Sequence, residues 1–227
     1  MKNPLTIYHG STQIIERPER LSGNRNNDYG QGFYCSENYE AACEWASRDA
    51  NIPGYVNEYS LDVSNLKILD LGKPQYNILN WLTILIKNRT PTAISQIGRE
   101  AQEYLLLNFD IDTTAYDVVI GYRADDSYFS FARDFLNNTI SLEKLKEAMK
   151  LGELGIQVFL ASDKAFAQIE FINTHSVDTS YHTKYLARDS KARAAYQKYK
   201  AAKSSVNETF MIDIIREEIK NGDKRLQ

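Results

Sequence analysis

The sequence predicts an α+β fold: small antiparallel or mixed β-sheets, a helical insertion and a helical C-terminal extension. Three observations carry that expectation. Short β-branched and aromatic runs alternate with helices, without the regular spacing of βαβ units. Between residues 74 and 108, Ile78, Leu79, Leu82, Leu85 and Ile86, then Ile94, Ile97, Ala101, Tyr104 and Leu105, recur at helical spacing. Beyond Asn173 the chain turns helical and charged. A main domain over 1–173, carrying an insertion at about 74–108, and an extension over 174–227 are therefore expected.

Taken in order, Leu5-Thr6-Ile7-Tyr8 reads as a strand, and Ile14-Ile15 as a second short one stopped by Pro18. Glu19 to Asp28, rich in Arg, Asn, Ser and Gly, reads as a long surface loop of functional length. Gly32 to Cys35 forms the next strand. Ser36 is a plausible N-cap for a helix from Glu37 to about Asp49, and Pro53-Gly54 breaks it. Tyr55–Leu61 and Leu66–Leu71 read as strands. Pro91 suits the first turn of the second inserted helix. Asp117 to Gly121 is a buried strand that runs into a polar turn and a helix through Phe129 and Phe135. Ser141 caps an amphipathic helix ended by Gly152, Gly155–Leu160 is another strand, and Ala165 to Ile172 leads toward a last one.

Composition narrows the function classes. The 227 residues suffice for one domain with a full core, and 43% apolar with 25% charged residues is the mix of an ordinary soluble chain. A formal charge of −3 exerts no overall pull on nucleic acid or anionic membrane. Two cysteines, Cys35 and Cys43, imply no disulfide framework, and a cytoplasmic location is expected. Met1-Lys2-Asn3-Pro4 leads straight into a strand, so no signal peptide is expected. The apolar run near Ile78–Ile86 is too short to span a bilayer. His175 and His182 have no ligand-type neighbours at metal spacing, and no metal is expected.

One constellation points to chemistry. Tyr8-His9-Gly10-Ser11 ends the first strand, and about twenty residues later comes Tyr29-Gly30-Gln31-Gly32-Phe33-Tyr34-Cys35-Ser36. Trp45 follows eleven residues past Tyr34 on the predicted helix. Together these put one imidazole, backbone exposed by glycines and two large aromatic faces within reach of a single flat ligand. The Gly-x-Gly pair is not a dinucleotide-binding fingerprint, because no third glycine follows and it precedes a strand.

This ordered set, with a later strand opening on the hydrogen-bonding residue Gln157, resembles the ADP-ribosyltransferase superfamily. More narrowly it resembles the His-Tyr-Glu branch of diphtheria-type toxins and poly(ADP-ribose) polymerases. It also looks like a small bacterial group carrying Asp-[Tyr/Phe]-Gly-x-Gly-Phe-Tyr, present here at Asp28 to Tyr34. The resemblance covers roughly residues 5 to 172 and implies split small β-sheets of the ADP-ribosyltransferase type, with NAD as substrate. It implies that His9 binds ribose hydroxyls and that the Gly10 backbone pairs with the nicotinamide carboxamide. Tyr34 and Trp45 would stack on opposite nicotinamide faces, with Ser11 and Gly32 completing the NAD-binding set. His9, Tyr34 and Gln157 would be the catalytic residues.

The chain departs from the family at the third of these, where Gln157 stands in place of the usual glutamate. A glutamine accepts a hydrogen bond from a ribose hydroxyl but brings no charge and no base. Three outcomes stay open: Gln157 suffices for single transfer, another acid enters the site, or the domain only binds. Glu153, Asp125 and Asp126 are the candidate acids. The expected function is a mono-ADP-ribosyltransferase acting on a protein or nucleic-acid acceptor, a toxin of a toxin–antitoxin or phage-defence pair with a cognate antitoxin and no membrane partner. The alternative is an NAD- or ADP-ribose-binding module. The basic stretch Lys184–Lys203, with Tyr185, Tyr196 and Tyr199 interleaved, reads either as a solvated helix face or as a surface for a nucleic acid or an acidic partner.

Overall fold

A computed structural model describes residues 4–89, 91–124, 126–151, 155–203, 205 and 207–226, without the side chains of 126–128. The chain runs β1 (Leu5–Ser11), β2 (Phe33–Cys35), α1 (Tyr39–Ala46), β3 (Gly54–Leu61) and β4 (Ile68–Asp70). Then come α2 (Ile78–Asn88), α3 (Gln96–Asn108), β5 (Val118–Tyr122), α4 (Asp126–Leu136) and α5 (Leu142–Ala148). It closes with β6 (Ile156–Leu160), α6 (Asp163–Phe166), β7 (Ile169–Val177), α7 (Ser180–Ala201) and α8 (Met211–Arg216).

The architecture is α+β with two small sheets. One is antiparallel in the order β1-β3-β7; the other runs β2-β6-β5-β4, antiparallel except for the β4–β5 pair. Strand alternation explains the layers. Phe33, Val118, Val158 and Leu160 of the second sheet pack with Ile7, Tyr59 and Leu61 of the first. The intervening residues Tyr34, Val119 and Phe159 face the other way, onto a core with Leu79, Leu82, Leu85, Phe131 and Phe135 from α2 and α4. The second sheet is thus covered on both faces. The two sheets are stitched at one edge, where Tyr8 N donates to Ser36 O (2.8 Å) and Ser36 N donates to Tyr8 O (2.9 Å). That stitch sets β1 directly beside β2.

Several sequence expectations shift. Ile14-Ile15 is not a strand: buried Asn57 accepts from Ile15 N (3.0 Å) and donates to Gln13 O (3.0 Å), while Tyr59 Oη donates to Ile15 O. Side chains of β3, not a ladder, satisfy that segment. The α1 N-cap is Asn38, whose side chain accepts from Glu40 N and Ala41 N, while the Ser36 hydroxyl donates to Ile156 O (3.3 Å) and accepts from Asn38 N (3.1 Å). Pro91 lies outside α3, which Ser95 caps by accepting from Gly98 N. Gly152 lies outside the described residues. The last strand extends to Val177, past the boundary expected at 173.

The helices after β7 pack against the rest of the chain. Arg188 pairs with Glu44 of α1 (2.7 Å) and Lys200 with Asp134 of α4 (2.7 Å), and Tyr196 stacks on Phe131 at 3.7 Å between centroids. Part of the basic stretch is therefore matched to acids of this same chain. No helix among the described residues is long and apolar enough to cross a membrane.

Candidate functional site

Where the stitched edges of the two sheets meet α1 lies a cleft of about 700 Å³. Its walls include His9 and Gly10 of β1, Tyr34 of β2, Trp45 of α1 and Gln157 of β6, with Gly32 at the approach to β2. Six of the seven residues singled out from sequence thus share one concavity. Ser11 lies outside it, ending β1 with its Oγ accepting from Gln13 N (3.1 Å).

His9 is held in one tautomer. Its Nδ1 lies 2.7 Å from the carbonyl oxygen of Tyr34, which only accepts, so Nδ1 carries the proton. Burial holds its pKa below 6.5, with the Tyr34 carbonyl opposing less strongly. The neutral ring therefore keeps Nε2 as a lone-pair acceptor. Its plane stacks on Phe33 at 4.4 Å.

Tyr34 is equally fixed. Its hydroxyl accepts from Tyr29 N (3.0 Å) and donates to Gly30 O (2.6 Å), tying the loop before β2 to the strand itself. The ring leans on Phe159 at 4.8 Å, and burial pushes the phenol pKa far above 10.0. Trp45 carries the guanidinium of Arg123 over one face, 4.1 Å from the ring centroid. A second planar cation stacking on Trp45 would take the opposite face.

The glycines serve packing before they serve any ligand. A Cβ on Gly10 would stand 2.0 Å from Ala42 O and 2.8 Å from Ala46 N, so Gly10 is what lets β1 lie against α1. A Cβ on Gly32 would meet Leu160 O at 2.4 Å. Both glycines still line the cleft, but their lack of a side chain is already required by the fold.

Asp28, to which sequence pattern alone assigns no role, also lines the cleft. Its carboxylate is buried and receives Arg89 on Oδ1 (2.9 Å), with Ala124 N (2.8 Å) and Gln157 Nε2 (3.0 Å) on Oδ2. Burial raises its pKa above 3.8, and the bonds from Ala124, Arg89 and Gln157 oppose that rise. Arg89 also donates to Ala124 O (2.9 Å) and lies over Phe129 at 4.4 Å. The acids expected near Gln157 were Glu153, Asp125 and Asp126. The first two lie outside the described residues, as does the side chain of the third. Asp28 is the first residue of the Asp-Tyr-Gly-x-Gly-Phe-Tyr phrase, and 129 positions separate it from Gln157. Arg89 closes α2, so the helical insertion reaches into the site.

The arrangement offers two neutral hydroxyl acceptors, aromatic surface and the cations Arg48, Arg89 and Arg123 in one cleft. Among the described residues no group of His, Cys, Asp and Glu side chains could hold a metal ion. A family profile described as "Protein of unknown function (DUF3990)" matches residues 5–171. The chain belongs to that family. The DUF3990 match takes in the second sheet, β1 and β3 of the first and every wall of the cleft, and it stops within β7, before α7 and α8. No curated protein and no solved structure matches the chain.

Proposed function

We propose that this DUF3990 protein is a mono-ADP-ribosyltransferase that moves ADP-ribose from NAD to a protein or nucleic-acid acceptor and releases nicotinamide. The observation that carries the reading is that His9 and Gln157, two neutral hydroxyl acceptors, line the same cleft as Tyr34 and Trp45. A volume of about 700 Å³ suits a cofactor-sized ligand. Nicotinamide would lie against Tyr34 and the face of Trp45 opposite Arg123, with ribose hydroxyls on His9 Nε2 and Gln157 Oε1. Arg48 and Arg123 would set positive charge toward the diphosphate. The glycosidic C–N bond breaks and its electron pair leaves with nicotinamide; the acceptor's lone pair then bonds to the anomeric carbon and the acceptor loses a proton. On this reading the two sheets are a split core of the ADP-ribosyltransferase type. Unrestrained transfer would harm the cell that makes it, which fits a cytoplasmic toxin with a neutralising partner.

NAD labelled on the nicotinamide, and separately on the adenylate, tests this. The expected result is nicotinamide release with adenylate label appearing on a macromolecule from lysate. No release, with or without lysate, rejects the enzyme. The neutral Gln157 favours one competitor, a binding module. NAD affinity by calorimetry without turnover would select it.

A further inference from the structure

Gln157 is a buried polar side chain on the cleft wall, only 2% exposed. Its Nε2 donates to Asp28 Oδ2 at 3.0 Å and to Tyr122 O at 3.3 Å. A primary amide nitrogen has two protons, and both are directed at groups that only accept. Turning the amide over would press its oxygen against a carboxylate and a carbonyl, so the neighbours dictate its orientation. Oε1 receives no donor among the described residues, and Gln157 lines the cleft. The amide is thus oriented with its acceptor left for a ligand.

The orientation depends on Asp28. Three donors converge on that carboxylate: Arg89, the Ala124 amide and Gln157. Arg89 bears the balancing charge at 2.9 Å. Deleting the Asp28 charge would leave a mismatch, because an asparagine offers one oxygen to three donors.

We propose that Asp28 is the positioning residue of the cleft: its carboxylate, braced by Arg89 and the Ala124 amide, turns Gln157 so that Oε1 meets a ribose hydroxyl. The negative charge then stands one hydrogen bond behind the acceptor. A charge-assisted bond at Nε2 polarises the amide and makes Oε1 the stronger acceptor. The acid of the site acts through a glutamine instead of touching the ribose. This role rests on the ADP-ribosyl reading given above.

The test compares wild type, Asp28→Asn, Gln157→Ala and the double variant, each checked for folding by its thermal melt. Nicotinamide release and calorimetric NAD affinity are the readouts. Asp28→Asn is expected to slow release about 100-fold while NAD affinity stays within about threefold. The double variant is expected to be no slower than Gln157→Ala alone, because both changes break one chain of contacts. Losses that multiply in the double variant, or an Asp28→Asn protein near wild-type rate, would overturn the proposal. If Asp28→Asn does not fold, the wild-type Gln157 side-chain amide is followed by NMR. Its resonances are expected to move with the protonation of Asp28, and resonances that stay put overturn the coupling. A wild type that binds no NAD removes the cleft reading itself and this role with it. Turnover undiminished in Asp28→Asn removes this role alone.

Discussion

His9 Nδ1 lies 2.7 Å from the Tyr34 carbonyl oxygen, a hydrogen bond that joins the edge strands of the two sheets. The backbone stitch between Tyr8 and Ser36 brings the strands together, and this bond then fixes the ring across the junction. With Nδ1 protonated and the pKa held below 6.5 by burial, Nε2 stays an acceptor down to mildly acidic pH. NAD affinity is therefore expected to be flat from about pH 8 to 6.5 and to fall only below that. The sign for stability is the same. Between the folded and unfolded pKa values the unfolded chain holds the extra proton, so this contribution is complete above 6.5 and is lost as pH drops toward the folded value. An NMR titration of the His9 ring with a midpoint above 6.5 would contradict both expectations.

Tyr34→Phe separates the hydroxyl from the ring. The hydroxyl serves Tyr29 N and Gly30 O, two loop groups beside the core, while the ring packs on Phe159. Removing it orphans a buried backbone donor, which costs about 1–3 kcal/mol. In a chain of this size each kcal/mol lowers Tm by about 2–4 °C. A fall in Tm with the aromatic surface intact is expected. An unchanged melt would show that the loop satisfies these groups another way.

The elements that periodicity can report were legible before the structure. The helix α2, the buried strands β5 and β6, and α5 behind Ser141 lie where apolar spacing and caps place them, while α3 starts behind Ser95 and not at Pro91. What failed was anything decided by a partner far along the chain. Ile14-Ile15 has strand composition, yet Asn57 and Tyr59 claim its backbone. Ser36 has cap chemistry, yet its hydroxyl donates to Ile156 O, 120 positions away. The site divides in the same way. His9, Tyr34, Trp45 and Gln157 stand out by residue type and order, and the fold gathers them, each from a separate element, in one cleft. The Asp28–Arg89–Gln157 contacts join a loop, a helix end and a strand, and no local spacing announces them.

Gly10→Ala tests whether that glycine is there for the fold. The new methyl would meet Ala42 O at 2.0 Å and Trp45 Cβ at 2.9 Å, both on α1. The helix must move off β1, and overpacking of this kind costs about 1–3 kcal/mol or more. Because Trp45 rides on α1, NAD affinity should drop along with Tm. Weakened binding with an unchanged Tm would instead place the ligand against the Gly10 backbone.

Trp45 can be watched directly, because it is one of only two tryptophans in the chain. The other, Trp81, is 1% exposed and donates its Nε1 proton to Tyr122 O at 3.0 Å, so a ligand in the cleft reaches only Trp45. Arg123 already covers one indole face at 4.1 Å. A pyridinium on the other face would place cations on both sides of one ring, each contact worth about 0.5–2 kcal/mol. NAD is expected to quench the fluorescence, and Trp45→Phe should abolish that response while keeping an aromatic face. Trp45→Ala should weaken NAD affinity by about two- to thirty-fold. Quenching that survives Trp45→Phe, or affinity unmoved in Trp45→Ala, would take the nicotinamide off the indole and leave it to the other rings that line the cleft, Tyr34 and Phe33.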